Sequence, residues 1–296
     1  METLQYCPLC GAGEGLLPFL KCSDHLLGTG QYSMVECSAC GLVFTNPRPN
    51  EENLPSYYQS EEYLSHSEKR NSMSQQLYFR VQSMMLKRKY KLISRLSVEG
   101  RSLIDIGCGA GAFGKYMQNI GYQVVGVEPQ ASAREKARQK GIQVFENQEQ
   151  ILKPGHPSFD FITLWHVLEH QPRFMESLEQ FHRMLHDNGR LIIAVPQFKS
   201  FDADHYKEFW AAYDLPRHLT HFSHATLEKA ARQKGFRLVK KAGMPFDAFY
   251  VSLLSEQYKG HSLASLRGVL VGLWSNVMAV LKLKPWSSQI FVFRKG

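Results

Sequence analysis

The chain has 296 residues, 44% hydrophobic and 21% charged, enough to bury one substantial α/β core and carry a small extra module. No run of about eighteen uncharged apolar residues occurs and no basic-then-apolar leader opens the chain, which excludes a membrane span and leads us to expect a cytoplasmic protein. Lys and Arg outnumber Asp and Glu by 35 to 27, and the formal net charge of +8 favours anionic partners without choosing among them.

Residues 1–48 read as a zinc-ribbon-like module. Cys7-Pro-Leu-Cys10 and Cys37-Ser-Ala-Cys40 are two C-x-x-C pairs with 26 residues between them. Each pair can sit on a tight knuckle and aim two thiolates at one tetrahedral Zn2+, with a hairpin in the gap. Disulfides are the rival reading, which an intracellular setting disfavours. Four cysteines close a metal site, so its role is structural, and in a module this small the metal supplies folding energy. Cys22, with Asp24 and His25 beside it, reads as a loop cysteine, with a substitute ligand as the alternative.

Residues 49–97 read as a linker and one long helix. Pro47, Pro49 and Pro55 keep the chain extended, and Tyr57, Tyr58, Tyr63 and His66 form a cluster read as interdomain packing or as a wall over an acceptor pocket. From Ser72 to Leu96, Leu77, Val81, Met84, Met85, Leu92, Ile93 and Leu96 make the apolar face of a helix. Its basic run, Lys87-Arg-Lys-Tyr-Lys91, reads as a solvated face, with a phosphate or RNA track as the alternative.

The core, residues 98–243, is organised around Leu103-Ile-Asp-Ile-Gly-Cys-Gly-Ala-Gly111, a short strand feeding a glycine loop that opens a helix. Gly107-x-Gly109-x-x-Ala112 also satisfies the dinucleotide fingerprint. Asp105 decides between the two cofactor classes, because an acid there repels a pyrophosphate and attracts the ammonium of S-adenosylmethionine. Val124-Val-Gly-Val-Glu128-Pro129 is a second strand ending in an acid that can hold both ribose hydroxyls. Phe159 to Trp165 is a further strand with His166, Glu169 and His170 just past its carboxyl end, and Arg190 to Val195 is the next.

These motifs, in this order and spacing, resemble the class I S-adenosylmethionine-dependent methyltransferases. The His166-Val-Leu-Glu-His170 segment is similar to the branch that acts on small molecules such as quinone precursors and sugars. The resemblance implies a Rossmann-like α/β fold with a seven-stranded, mostly parallel sheet. It implies donor contacts at Asp105, Gly107, Cys108, Gly109, Gly111, Glu128, Pro129 and His166, with Gln148 as a soft candidate beside the adenine. The cysteine pairs and the following Gly41 to Pro49 look like the zinc-binding lead segment of sugar C-methyltransferases, which carry a further carboxy-terminal domain.

Pro172 opens a helix with Phe174, Leu178, Phe181 and Leu185 inward, and Asp187-Asn-Gly189 reads as a turn. Residues 197–222 read as a long functional loop. Its Asp-Leu-Pro-Arg217-His218 resembles a recurring segment of the small-molecule branch. There Arg217 is expected to orient an anionic acceptor and His218 or His221 to remove its proton, with fastening the loop to the core as the competing role; His170 is expected to face the acceptor. Ser223 caps a last core helix that Gly235 ends.

In residues 244–296, Leu263 to Leu283 reads as a core or dimer-facing helix, with interfacial membrane contact as the alternative, and Gln289 to Phe293 as the antiparallel strand that closes the sheet. The reading is an enzyme that methylates a small-molecule acceptor, a sugar or quinone-like metabolite. An RNA methyltransferase gripping RNA with the zinc module and basic helix is the alternative, and an NAD-dependent oxidoreductase or an idle scaffold the more distant ones.

Overall fold

The computed structural model describes residues 1–58, 72–152 and 158–296, with residues 72–79 as backbone only. Tyr63, His66 and the side chain of Leu77 lie outside the described residues.

Three antiparallel strands come first, β1 (Leu16–Ser23), β2 (Gln31–Cys37) and β3 (Val43–Thr45). Helix α1 (Ser72–Ile93) leads into an alternating run: β4 (Ser102–Ile106), α2 (Ala112–Asn119), β5 (Gln123–Val127), α3 (Ala131–Gln139), β6 (Gln143–Phe145), β7 (Phe159–Trp165), α4 (Phe174–Met184) and β8 (Leu185–Pro196). There follow α5 (Phe201–Tyr206), β9 (Thr220–His221), α6 (His224–Gln233), β10 (Phe236–Gly243), α7 (Pro245–Tyr258), α8 (Ala264–Val280) and β11 (Ser288–Lys295).

The large sheet has seven strands in the order β10-β11-β8-β7-β4-β5-β6. Strand β11 runs antiparallel to both of its neighbours, while β6, β5, β4, β7 and β8 are mutually parallel. It does not close an edge; it is threaded between β8 and β10, buried on both faces, which is why it reads as an apolar run.

Strand alternation sorts the core into two layers. Ile104, Ile162, Leu164, Leu191 and Ile193 face Leu178 and Phe181 of α4 and Leu227 of α6. Leu103, Phe161 and Ile192 face the other way, toward Leu92 and Ile93 of α1 and Phe113 and Met117 of α2. Helix α6 starts as its chemistry dictates: the Ser223 side chain accepts from the Thr226 amide and the Thr226 hydroxyl answers the Ser223 amide.

Several local expectations give way to tertiary packing. Strand β8 begins at Leu185 and runs through Asp187-Asn-Gly189, with a register break opposite Phe159 and Phe161. The stretch 197–222 is largely ordered as α5, two 3-10 turns and β9, because Trp210, Tyr213, Leu215 and Leu219 bury their apolar surface there. Cys22 lies on β1, buried with Tyr32 and Met34 rather than on a loop. On α1, Met84 is exposed.

Strand β9 becomes the fourth strand of the amino-terminal sheet, pairing Val43 with His221 and Phe44 with Thr220. The Thr45 hydroxyl donates to the His218 carbonyl at 2.7 Å, and the Thr45 amide to that of Leu219 at 3.0 Å. Arg217 completes the junction. Its side chain is 1% exposed, and Nη2 donates to Asp24 Oδ1 at 3.0 Å and Asp214 Oδ1 at 2.7 Å. Removing one partner of a buried pair is costly because the others are left buried, so Arg217→Met is expected to lower the unfolding free energy by about 3 kcal/mol in a urea titration. Lys284→Ala, whose partner Asp204 is exposed, should change it by less than about 1 kcal/mol.

Candidate active site

The parallel strands β4, β5, β7 and β8 end on one edge of the sheet, where open α/β sheets take their ligands. Beyond Ile106 the chain turns through Gly107, Cys108, Gly109 and Gly111, and the three glycines have φ of 67°, 53° and 74°. The Gly107 and Cys108 amides both donate to the Val127 carbonyl, at 2.8 and 3.0 Å, which ties the loop to β5. A Cβ on Gly107 would stand 2.5 Å from Val167, whereas a Cβ on Gly109 would meet nothing within 4 Å. Gly109 is thus where a ligand can lie against bare backbone. Cys108 turns inward beneath Gly126, and burial, with Asp105 and Glu128 adding to it, pushes its thiol up to about 12.

Glu128 accepts the Gly109 amide on Oε2 at 2.8 Å and the Gln130 amide on Oε1 at 2.9 Å. Two of its acceptor positions are filled and two stay open, so the carboxylate is aimed and still has capacity. Pro129 beside it is exposed, its carbonyl taken by Arg134. Asp105 is 2% exposed and accepts the Thr163 hydroxyl at 2.6 Å. Burial raises its carboxyl to about 6, opposed by Thr163 and by the nearby ammonium of Lys89. Gln148 is turned elsewhere: its amide donates to Ser177 Oγ at 3.2 Å and to Gln180, both on α4.

Lys89 belongs to the basic run that reads as a solvated face, and for this residue that reading fails. It reaches from α1 into the site, with Nζ 4.2 Å from the centre of the Trp165 ring, and burial pulls its ammonium down to about 8 while Asp105 and Asp247 hold it up. Position 89 falls on the helical face of Met85, Leu92 and Ile93, a lysine in an apolar stripe, which is the signal that could have marked it. Asp247 of α7 had no such signal. Its Oδ2 lies 3.0 Å from His166 Nε2, and Glu169 Oε1 lies 3.4 Å from Nδ1 of the same ring. Burial disfavours the imidazolium, but the two carboxylates outweigh it and raise His166 to about 10. His166 is a cation between two anions.

Next to Glu169 stands the histidine cluster. His170 Nδ1 is 2.9 Å from the Tyr58 hydroxyl and 3.1 Å from the Arg217 carbonyl. Its ring meets that of His218 edge-on at 4.4 Å. His218 Nδ1 is 2.9 Å from the Ala212 carbonyl, so that nitrogen carries the proton. Burial, with His170 adding to it, pulls His218 well below the ordinary range, and burial lowers His221 to about 3, so both rings are neutral. Glu169, Phe198, Trp210, His218 and His221 enclose about 10 Å³, room for the centre of one water-sized body. The Arg217 guanidinium points away to Asp24 and Asp214; only its carbonyl reaches the cluster.

Two groups among the described residues can hold a metal. Glu169, His170 and His218 bring donor atoms within 4.8 Å of one another, with His166 outside the group. Neither oxygen of Glu169 makes a hydrogen bond, but the charge of His166 already compensates it. The other group is Cys7, Cys10, Cys37 and Cys40. Cys7 and Cys40 Sγ are 3.5 Å apart, and Cys10 and Cys37 Sγ 3.6 Å. Tetrahedral zinc with bonds of ~2.3 Å to sulfur sets its thiolates about 3.8 Å apart, which these positions fit. Both knuckles turn alike, with the Gly11 amide on the Cys7 carbonyl and the Gly41 amide on that of Cys37.

Residues 80–241 match the family described as a methyltransferase domain. The ubiquinone biosynthesis O-methyltransferase of Pseudomonas paraeruginosa is 28% identical over 107 residues, 34% of this chain and 46% of that protein. The enzyme of the same name from Azorhizobium caulinodans is 28% identical over 163 residues, 51% of this chain and 64% of that one. The chain spans about half the length of the curated relatives it matches. Among solved structures, the magnesium protoporphyrin IX methyltransferase of Synechocystis PCC 6803 with bound SAH superposes with a TM-score of 0.54 at 13% identity, covering 83% of this chain and 100% of that one. At that identity the likeness is one of fold.

His166 gives this edge of the sheet a pH signature. Its pKa is raised from 6.5 to about 10, so the stabilisation from its pairs is full below pH 6.5 and is lost as pH rises through about 10. Asp247→Asn removes one of the two anions. It is expected to bring the His166 titration, followed by NMR of the ring, down by more than about one unit, and to narrow that window from its alkaline side.

Proposed function

Because this chain belongs to the methyltransferase-domain family, we propose that it transfers a methyl group from S-adenosylmethionine to a small-molecule acceptor held beside His170. The observation that carries the donor is a pair of buried carboxylates, Asp105 and Glu128, flanking a glycine loop open at Gly109. Glu128 suits the ribose of either cofactor class, whereas Asp105 repels the pyrophosphate of a dinucleotide and suits a cationic donor, which disfavours the oxidoreductase reading. S-adenosylmethionine, when bound, supplies an electrophilic methyl group on a positively charged sulfur. Glu128 would accept the ribose hydroxyls on its two open positions. Asp105 and Lys89 together would hold the zwitterionic amino-acid end, the carboxylate taking the ammonium and the lysine the carboxylate.

Methyl transfer from sulfur is an in-line displacement, so positioning does most of the work. A base is needed where the acceptor atom starts protonated. We assign that role to His170: with Nδ1 donating to the Arg217 carbonyl, Nε2 keeps its lone pair for an acceptor hydroxyl. His218 and His221, held neutral by burial, would wall the pocket without competing for the proton. Arg217 is assigned to fastening the loop instead of orienting an anion, since two carboxylates already neutralise it. A phenolic, quinone-like acceptor agrees with the relatives' names; a sugar hydroxyl suits the same chemistry. The RNA reading loses Lys89 from its basic run, since that side chain turns inward while Lys87, Arg88 and Lys91 stay exposed.

In this reading residues 1–48 form a module closed by a structural Zn2+ on Cys7, Cys10, Cys37 and Cys40, and metal analysis showing no zinc would remove that part. Residues 49–97 connect it, 98–243 form the catalytic core and 244–296 add the last helices and strand. The proposed location is the cytoplasm, where thiolates stay reduced.

A calorimetric titration with S-adenosylmethionine, S-adenosylhomocysteine and NADH tests the donor. The adenosyl compounds should bind, and Glu128→Gln should weaken them by roughly 1.5–3 kcal/mol. Preferential binding of NADH would overturn the proposal. With an acceptor in hand, His170→Ala should slow transfer to a hydroxyl by about 10²–10⁴ and leave donor affinity unchanged. Full turnover at every pH would remove His170 from the role of base.

A further inference from the structure

Helix α8 is built inside out. The residues that it turns toward the protein are small: Gly268, Gly272, Ser275 and Ala279 are its buried positions. A Cβ on Gly268 would stand 2.8 Å from Leu253 Cα, and one on Gly272 2.9 Å from Phe249 Cα, so α8 packs backbone to backbone on α7. Its large apolar side chains face outward. Leu266, Leu270, Leu273, Trp274, Val280 and Leu281 are 53–65% exposed and recur at spacings of three, four and seven. A helix on a water-facing surface has the opposite arrangement, with large residues in and polar ones out. Small residues inside and leucines outside are how helices pack when their surroundings are lipid. An exposed apolar stripe of this extent marks a surface that meets something.

Charge selects the partner. From Gln257 to Gly296 the chain has no Asp or Glu, and Lys259, Arg267, Lys282 and Lys284 accompany the stripe. Arg267 also caps the buried Glu256 at 3.0 Å and Lys284 reaches Asp204, while Lys282 is exposed between Leu281 and Leu283. A second copy seated on this face would bring Lys282 onto a strip that carries no carboxylate of its own to meet it. An anionic headgroup layer suits the exposed Lys282 and the part-exposed Arg267 and Lys284 beside it, as lysine stems cover apolar surface and their ends reach the phosphates. No helix among the described residues is long and apolar enough to cross a membrane.

We propose that the outer face of α8 docks on an anionic lipid surface, lying in the interface with Leu270, Leu273 and Trp274 inserted. The docked face is one helix away from the active site, because α7, on which α8 packs, carries the Asp247 that holds His166. The enzyme would then work beside the surface and take acceptors embedded in it. The docking surface stands on α8 alone and does not depend on the reaction assigned above.

Flotation with vesicles tests it, using equal parts of phosphatidylglycerol and phosphatidylcholine against phosphatidylcholine alone, at low and high salt. The full chain should float with the anionic vesicles, less so at high salt, and poorly with the neutral ones. Replacing Leu270 and Leu273 by Asp should cut the bound fraction by about tenfold or more, since two leucines lose their burial. The melting temperature of that variant, which is changed only at exposed positions, should stay that of the parent. Equal flotation of parent and variant, or none by the parent at low salt, overturns the proposal. So does a dimer in sedimentation that the same variant dissociates, which would assign the face to a second copy.

Discussion

The buried guanidinium of Arg217, shared between Asp24 of the amino-terminal segment and Asp214 of its own loop, is the constraint on which the arrangement of the site depends. A pair of this kind adds little net stability over an apolar replacement, because desolvation offsets most of the attraction. What it adds here is position. With the side chain held by two carboxylates, the backbone of residue 217 has one place to be, and its carbonyl lies 3.1 Å from His170 Nδ1. Strand β9, two residues long, could not hold itself in a sheet; paired to β3 and anchored by Arg217 it sets His218 and His221 against Glu169. The amino-terminal sheet therefore acts at the site without contributing a side chain to the glycine loop.

At the sheet edge, charge is arranged in alternation. Lys89 stands near Asp105 and Asp247, and His166 between Asp247 and Glu169. Each cation is half-buried, and each is kept by carboxylates from different elements: β4, α7 and the turn after β7. Such a network resists rearrangement, since moving one member leaves another buried and unpaired. It also explains why burial moves Lys89 down and carboxylates move His166 up within the same few ångströms. The balance of the two causes differs, with two anions close around one ring and a more distant pair around the ammonium.

Helix α7 joins these regions. One of its faces supplies Asp247, another packs Val251 into the layer beneath the amino-terminal sheet, and a third receives the glycines of α8. The close approach of α8 is possible only because Gly268 and Gly272 have no side chains, and the consequence is a helix whose bulk faces away from the protein.

What could be read from the sequence was whatever is decided by neighbours along the chain. The glycine loop after β4, the acid after β5, the knuckle pattern of the four cysteines and the cap at Ser223 depend on backbone conformation over a few residues, and residue type alone specifies that. Stretches whose conformation is decided by burial read less well: 197–222 looks like a loop because its aromatics have no helical period, and β8 absorbs an Asp-Asn-Gly turn because its neighbour β7 offers a ladder. Lys89 was half legible, as a lysine in phase with an apolar stripe. Asp247 with His166 and Asp24 with Arg217 were illegible, because residues 81 and 193 positions apart in the chain become partners only when sheet and helices have packed. The sequence by itself determined the fold class and the conformation of the glycine loop, since both follow from local conformation and strand period. Only the tertiary structure decided which histidine is a cation, which are neutral and what Arg217 holds, because those depend on how far each charge is removed from water and on what the fold sets beside it.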